Sequence, residues 1–209
     1  MKEDARMAVI HETTMVPTKL ELLTAWLPTR TWYQGTDRPV LRRAGGFRLD
    51  DPAGAVGIEF VVIVDSAAEP VAYLVPFAYR GAPLDGAEEA LVGTSMHGVL
   101  GERWLYDGTR DPVVVAQLVA LLAGTAEPQA QHESGTPDPS IQVTPAELAL
   151  PGAATAVDAS AHTDIGGVLR VHRVLEPAGA PSAGQVSAPW QSADGTSVRS
   201  VVLSAISGT

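Results

Sequence analysis

The chain of 209 residues contains no cysteine. That gap removes disulfides, thiolate nucleophiles, zinc–thiolate sites and iron–sulfur clusters together. Charged residues are scarce at 18% and aromatic ones at 5%, so the core has to be built from Val, Leu, Ile and Ala. Lysine is almost missing: of the fourteen basic residues, only Lys2 and Lys19 are not Arg. Against 24 Asp and Glu they leave a formal net charge of −10. Such a surface cannot gain affinity by neutralising phosphates, so neither nucleic acid nor an anionic membrane is an expected partner. No stretch reaches the roughly 18–20 apolar residues of a membrane span. The charged opening, Met1 to Arg6, is not a signal peptide, and a cytoplasmic protein is expected.

Catalytic motifs are missing as well. The sequence has no Gly-x-x-x-x-Gly-Lys-Ser/Thr loop, no Gly-x-Gly-x-x-Gly, no His-Glu-x-x-His and no Gly-x-Ser-x-Gly. His11, His97, His132, His162 and His172 are scattered, and none is spaced to present two ligands from one helix. His162-Thr163-Asp164 has the His-x-Asp form of a kinase catalytic loop, but no Asn follows, and the triplet reads as a polar loop before a strand. Asp50-Asp51 and Glu88-Glu89 sit in turns, where adjacent carboxylates do not face each other across a cleft. No catalytic residue, metal site or cofactor is expected.

What is there is apolar patterning. Residues 7–16 read as a short strand. Pro17-Thr18 opens a helix through about Leu27, stopped by Pro28. Val56, Ile58, Phe60, Val62 and Val64 alternate along one strand, and Val71, Tyr73, Val75, Phe77 and Tyr79 along the next. Pro76 removes a donor from that second strand and predicts an edge or a bulge there. Asp111, Pro112 and Gly124 bracket a helix whose apolar residues cover most of its circumference. Residues 125–140 are rich in Pro, Gln, Ser and Glu, with no apolar period, and read as a flexible linker. Beyond them, residues 168–175 read as a strand, and Asp194-Gly195 as a type I′ hairpin turn. The expected fold class is α+β: an antiparallel β-meander packed against two or three helices, followed by a small β-rich subdomain. The expected division is 1–124, a linker at 125–140, and 141–209.

Two groups of residues are candidates for binding. Arg30, Arg38, Arg42, Arg43 and Arg48 concentrate basic charge in an acidic chain. They either hold a phosphorylated sugar or an acidic partner, or pair with the chain's own carboxylates. Trp26, Trp32, Tyr33, Trp104 and Tyr106 either stack on a sugar or fill the core.

Several stretches resemble a known family. Ala25-Trp26-Leu27-Pro28-Thr29-Arg30-Thr31-Trp32-Tyr33-Gln34-Gly35 resembles the opening of actinobacterial maltokinases. The run from His97 to Pro112, HGVLGERWLYDGTRDP, resembles the end of the maltokinase N-terminal cap. Residues 44–52 and 79–84 fit the same group, so the likeness covers about residues 20–124. It is nearest to short stand-alone proteins with a cap-like domain, some of which carry a 1,4-alpha-glucan branching name. A branching enzyme itself needs a (β/α)₈ barrel of roughly 250 residues. Residues 168–177 weakly resemble the kinase N-lobe strand that carries the ATP-binding lysine. Here Arg170 stands in that position, and Thr36 follows Gly35 where the family has lysine.

The resemblance implies a non-catalytic cap-like module of maltose, trehalose and α-glucan metabolism that binds a partner enzyme of that metabolism. The alternatives are a sugar- or sugar-phosphate-binding protein, or an accessory or remnant of a maltokinase-type sugar kinase. The binding residues expected on this reading are Trp32, Tyr33, Arg38, Arg42, Arg43, Arg103, Trp104 and Tyr106. Nothing in the sequence argues against a homo-oligomer.

Overall fold

The computed structural model describes residues 15–133, 135–147 and 155–206. Its strands are β1 (Met15–Val16), β2 (Leu41–Leu49), β3 (Gly57–Asp65), β4 (Val71–Arg80), β5 (Leu91–His97), β6 (Gly101–Asp107), β7 (Gln142–Thr144), β8 (Ala156–Asp158), β9 (His162–Ile165), β10 (Leu169–His172), β11 (Gln185–Gln191) and β12 (Ser197–Ala205). Helices are α1 (Lys19–Trp26) and α2 (Pro112–Leu122). The α+β expectation is therefore corrected: the fold is β-rich, with one full helix, α2, and one short one, α1, among the described residues. Glu88–Ala90, expected as a turn, forms a single 3-10 turn.

All twelve strands belong to one antiparallel sheet. Its order is β1-β5-β6-β4-β3-β2-β11-β12-β10-β9-β8, with β7 alongside β11. The C-terminal strands thus extend the sheet of the N-terminal meander instead of forming a separate β layer; β11 meets β2 where Trp190 faces Gly45. The chain after β10 then returns to β4, where Val174 bridges Tyr73. Two further bonds bracket that bridge, from the Leu74 N–H to the Arg173 carbonyl and from the Leu175 N–H to the Ala72 carbonyl, each 2.9 Å. Strands β4, β3, β2, β11, β12 and β10 are thereby closed into a small barrel. Closure removes the open edge that the first half of β4 would otherwise present.

Pro76 has its explanation in this closure. β4 is an interior strand, but its outer partner changes along its length: residues 173–175 pair with its first half, and β6 pairs from Phe77 onward. Pro76 lies at the change-over, where a missing N–H costs no ladder bond.

Two apolar clusters lie on opposite faces. The larger takes residues from all six barrel strands, including Phe47 stacked on Phe60 at 4.4 Å, with Leu74, Leu169, Val171, Val186, Ala188 and Leu203. α2 packs into it through Val114, Val115, Leu118, Val119, Leu121 and Leu122, all buried. Each such side chain contributes about 1.5–3 kcal/mol by leaving water, which outweighs the poor helix propensity of its three consecutive valines. Asp111 caps the helix by accepting from the Val113 and Val114 N–H groups, and Gly124 takes the left-handed conformation just past its end (φ 73°). The second cluster lies under α1 and joins Leu23, Trp26, Leu27 and Trp32 to Val61, Ile63, Tyr73, Val75, Phe77, Val92 and Leu105. The alternation of β3 thus buries both of its faces.

Of the strand expected at 7–16, residues 7–14 lie outside the described residues. The turn at Asp194-Gly195 is not type I′, because only Gly195 has a positive φ; the loop closes instead through the Ser192 N–H to the Thr196 carbonyl (2.9 Å). In the 125–140 stretch, Gln129 exchanges two backbone hydrogen bonds of 2.9 Å with Arg48 of β2. No helix among the described residues is long and apolar enough to cross a membrane.

Candidate functional site

The eight binding residues expected from the sequence do not converge. Trp32 is wholly buried, edge-on to Trp26 (5.8 Å) and beside Tyr73 (6.0 Å). Tyr33 packs against the same cluster and donates its hydroxyl to Asp65 at 2.5 Å. Burial and then Asp65 push its phenol pKa up. Tyr106 is buried in the other cluster, where its hydroxyl accepts from the Leu84 N–H (2.9 Å), and Trp104 packs partly buried against that same cluster. Arg43 is committed to Glu59 at 2.8 Å. Arg42 donates to the Gln191 and Ser192 carbonyls (3.1 and 2.8 Å), tying β2 to the β11–β12 turn. Arg103 donates to the Leu100 carbonyl at 2.7 Å. Arg38 is exposed. The core reading therefore accounts for Trp32 and Tyr106, and self-pairing accounts for Arg43.

Three arginine–aspartate pairs organise the interior by degrees. Arg173, with no exposed side-chain surface, donates to Asp107 (2.5 Å), Thr109 (2.9 Å) and Thr163 (2.8 Å), and its guanidinium lies 4.9 Å from the Trp32 ring. It joins the end of β6 and the strand β9 to the barrel seam. Arg80 grips Asp111 through Nε and Nη2 (2.6 and 2.9 Å), binding β4 to the cap of α2. Arg170 grips Asp164 in the same two-pronged way (2.7 and 2.9 Å), on the open face of β9 and β10. A further buried centre, Glu59, takes Lys19 (2.5 Å), Tyr79 (2.6 Å) and Arg43. Burial raises the Glu59 pKa, but Lys19, Tyr79 and Arg43 together outweigh it and hold the carboxyl below its ordinary range.

The open face of β9 and β10 is a concentrated polar site, and His162-Thr163-Asp164, expected as a polar loop before a strand, lies in the strand β9 itself. Register places His162 opposite His172 and Asp164 opposite Arg170, with Ser204 of β12 opposite Arg170 on the other side. All five of these strand residues are partly exposed, while Thr163, Ile165, Leu169 and Val171 are buried. His162, Arg170 and His172 line a cleft of about 290 Å³, walled by Ala161, Val174, Pro177 and Val201 with Glu176 at its rim. The His172 Nε2 lies 3.1 Å from the Ser204 hydroxyl. Burial, and then the charges of Arg170 and His162, push the His172 pKa down to about 4, so its ring is neutral at pH 7. Hydrogen bonds from Arg170 hold Asp164 below the usual carboxylate range. The signal was present in the sequence as two alternating quartets, HTDI and LRVH. Among the described residues, no group of three or more His, Asp or Glu is placed to hold a metal ion.

A different feature marks the far end of the sheet. In the β5–β6 hairpin, Met96 (56% exposed), Val99 (61%) and Leu100 (45%) are open to solvent. Val16 of β1, also exposed at 67%, pairs directly opposite Met96.

The model of the maltokinase N-terminal cap domain family matches residues 26–111. The chain carries a maltokinase N-terminal cap-like domain. This cap takes in strands β2 to β6, the apolar hairpin, and the Asp107 and Thr109 partners of Arg173. α2, Arg173 itself and the β9–β10 cleft lie outside the matched residues. The match sets the chain in a carbohydrate-metabolism context. No curated protein matches the chain.

Proposed function

We propose that the chain is a non-catalytic, cap-like module of maltose, trehalose or α-glucan metabolism that works by docking on an enzyme of that metabolism. The observation that carries this reading is the exposed apolar hairpin. Val16, Met96, Val99 and Leu100 leave large apolar side chains in water; among the described residues Val40 and Val157 are the other large apolar side chains this exposed, and they stand apart from the hairpin. A patch of this kind on a soluble surface is characteristic of an interaction site. Met96, Val99 and Leu100 lie within the cap and Val16 lies N-terminal to it, and the chain's net charge of −10 favours an occupant that surrounds an apolar recess with basic groups.

The test uses the full chain as bait in native extract. The expected capture is an identified enzyme of α-glucan or trehalose metabolism, lost when Met96→Asp and Leu100→Asp are combined. Unchanged capture by that variant, with loss in Arg38→Glu/Arg42→Glu instead, would move the docking surface to the basic stretch at the start of β2.

A second reading, a sugar- or sugar-phosphate-binding protein, is favoured by a separate observation, the polar cleft on β9 and β10.

A further inference from the structure

We infer that the cleft between β9, β10 and the 176–179 segment is a binding site for a neutral polyhydroxylated ligand of the size of one or two sugar rings, held by His162, Arg170, His172 and Glu176. The inference rests on the second reading above and adds the residues, the ligand class and the exclusion of anions.

The cleft holds about 290 Å³, room for a ring and its hydroxyls but not for a long chain. Its lining is of two kinds: Val174, Pro177 and Val201 offer C–H surface, and the two histidines and the arginine offer hydrogen bonds. That division suits a sugar ring, whose C–H face is apolar and whose edge carries hydroxyls that both donate and accept. Arg170 spends Nε and Nη2 on Asp164, which fixes the guanidinium plane and leaves Nη1 outside the pair. A guanidinium held this way is already oriented for a ligand, so less freedom is lost on binding. His172 is likewise fixed, by Ser204 at 3.1 Å. Glu176 is the acceptor on the rim.

Charge decides between ligand classes. The positive charge of Arg170 is answered by Asp164, His172 is neutral at pH 7, and Glu176 adds a negative charge at the rim. The whole chain is acidic. A phosphate or carboxylate entering this cleft gains no unpaired cation and meets a carboxylate at the edge. A metal ion has no ligand set here among the described residues. A neutral polyol uses the donors and the acceptor alike and meets no opposing field.

The test titrates the full-length protein with glucose, maltose, glucose 6-phosphate and inorganic phosphate, following the imidazole NMR signals of His162 and His172. Glucose or maltose is expected to move both signals with Kd on the order of 1 mM, typical of a site with a handful of hydrogen bonds. His162→Ala and Glu176→Ala, both on the open face, should each weaken binding by about fivefold, the equivalent of one hydrogen bond. Phosphate should neither move the signals nor compete. Three results would overturn the proposal. Shifts produced only by the phosphorylated ligands would make the cleft an anion site. Sugar binding that leaves both imidazoles and both variants untouched would keep the sugar-binding reading and move it elsewhere. No response to any probe would remove the reading along with the site.

Discussion

Arg170 and Arg173 stand three residues apart, each against an aspartate, and they have opposite circumstances. Arg173 and Asp107 show 0% and 3% of their side-chain surface to solvent; Arg170 and Asp164 show 36% and 30%. Between them stands Arg80 with Asp111, at 20% and 0%. The chemistry is the same in all three and the dielectric surroundings are not. A buried charge deprived of its partner has no water to turn to, whereas an exposed one is resolvated at once. Depth, more than pairing, therefore decides which arginine is structural and which is available to a ligand.

The sharpest break of this series is Arg173→Met. It leaves Asp107 charged in the interior and removes the ring contact with Trp32, and urea unfolding should register a loss of about 3–5 kcal/mol. A loss under about 1 kcal/mol would mean that water reaches Asp107, and the ranking by depth would fail. Arg80→Met is the intermediate case. Asp111 keeps its bonds to the Val113 and Val114 N–H groups, so the same measurement should give about 1.5–3 kcal/mol.

Next in size is a pH effect on the open face. The pKa of His172 lies at about 4 in the folded chain, below its ordinary 6.5. The unfolded chain therefore takes up the proton first as pH falls. Stability from the neutral ring is complete above pH 6.5, declines between 6.5 and 4, and changes no further through this group below that. After allowance for its partial exposure, the loss should be on the order of 1–2 kcal/mol, and His172→Gln should flatten that part of the stability–pH curve. The smallest effect is Arg170→Met, expected at about 0–1 kcal/mol at pH 7. It should nonetheless raise the His172 pKa, followed by NMR, because Arg170 is the main charge opposing protonation there.

Much of this arrangement was open to reading from the residues, and the limits are physical. α2 was legible because its cap, its first-position proline and its terminal glycine are local signals. β3 and β4 were legible because their alternation is long. β5 was not: its run LVGTSMH carries a glycine, two hydroxyl residues and a kink in register after Leu91, which mimic a loop. The meeting of Gly45 with Trp190 spans about 145 positions, and periodicity says nothing about which strand lies beside which. Trp32 and Tyr106 meet a related limit. With so few large side chains available, Trp32 and Tyr106 were needed inside, and a composition argument alone could not say which of the aromatics the core would claim. His162 and His172 were read separately because only strand register makes them neighbours.

The bridge from Tyr73 to Val174 also sets an order of events. Those two residues lie about a hundred positions apart, so the loop-closing contact is among the most non-local in the chain. On a ribosome adding roughly 5–20 residues per second, β4 emerges several seconds before the segment that will cover it. Throughout that interval the apolar first half of β4 presents an unpaired backbone edge, the kind that recruits a neighbouring nascent chain. The matched region 26–111 inherits the same exposure whenever it is expressed without residues 169–175. Its yield as soluble material should then depend on concentration and on chaperones more steeply than that of the full-length chain.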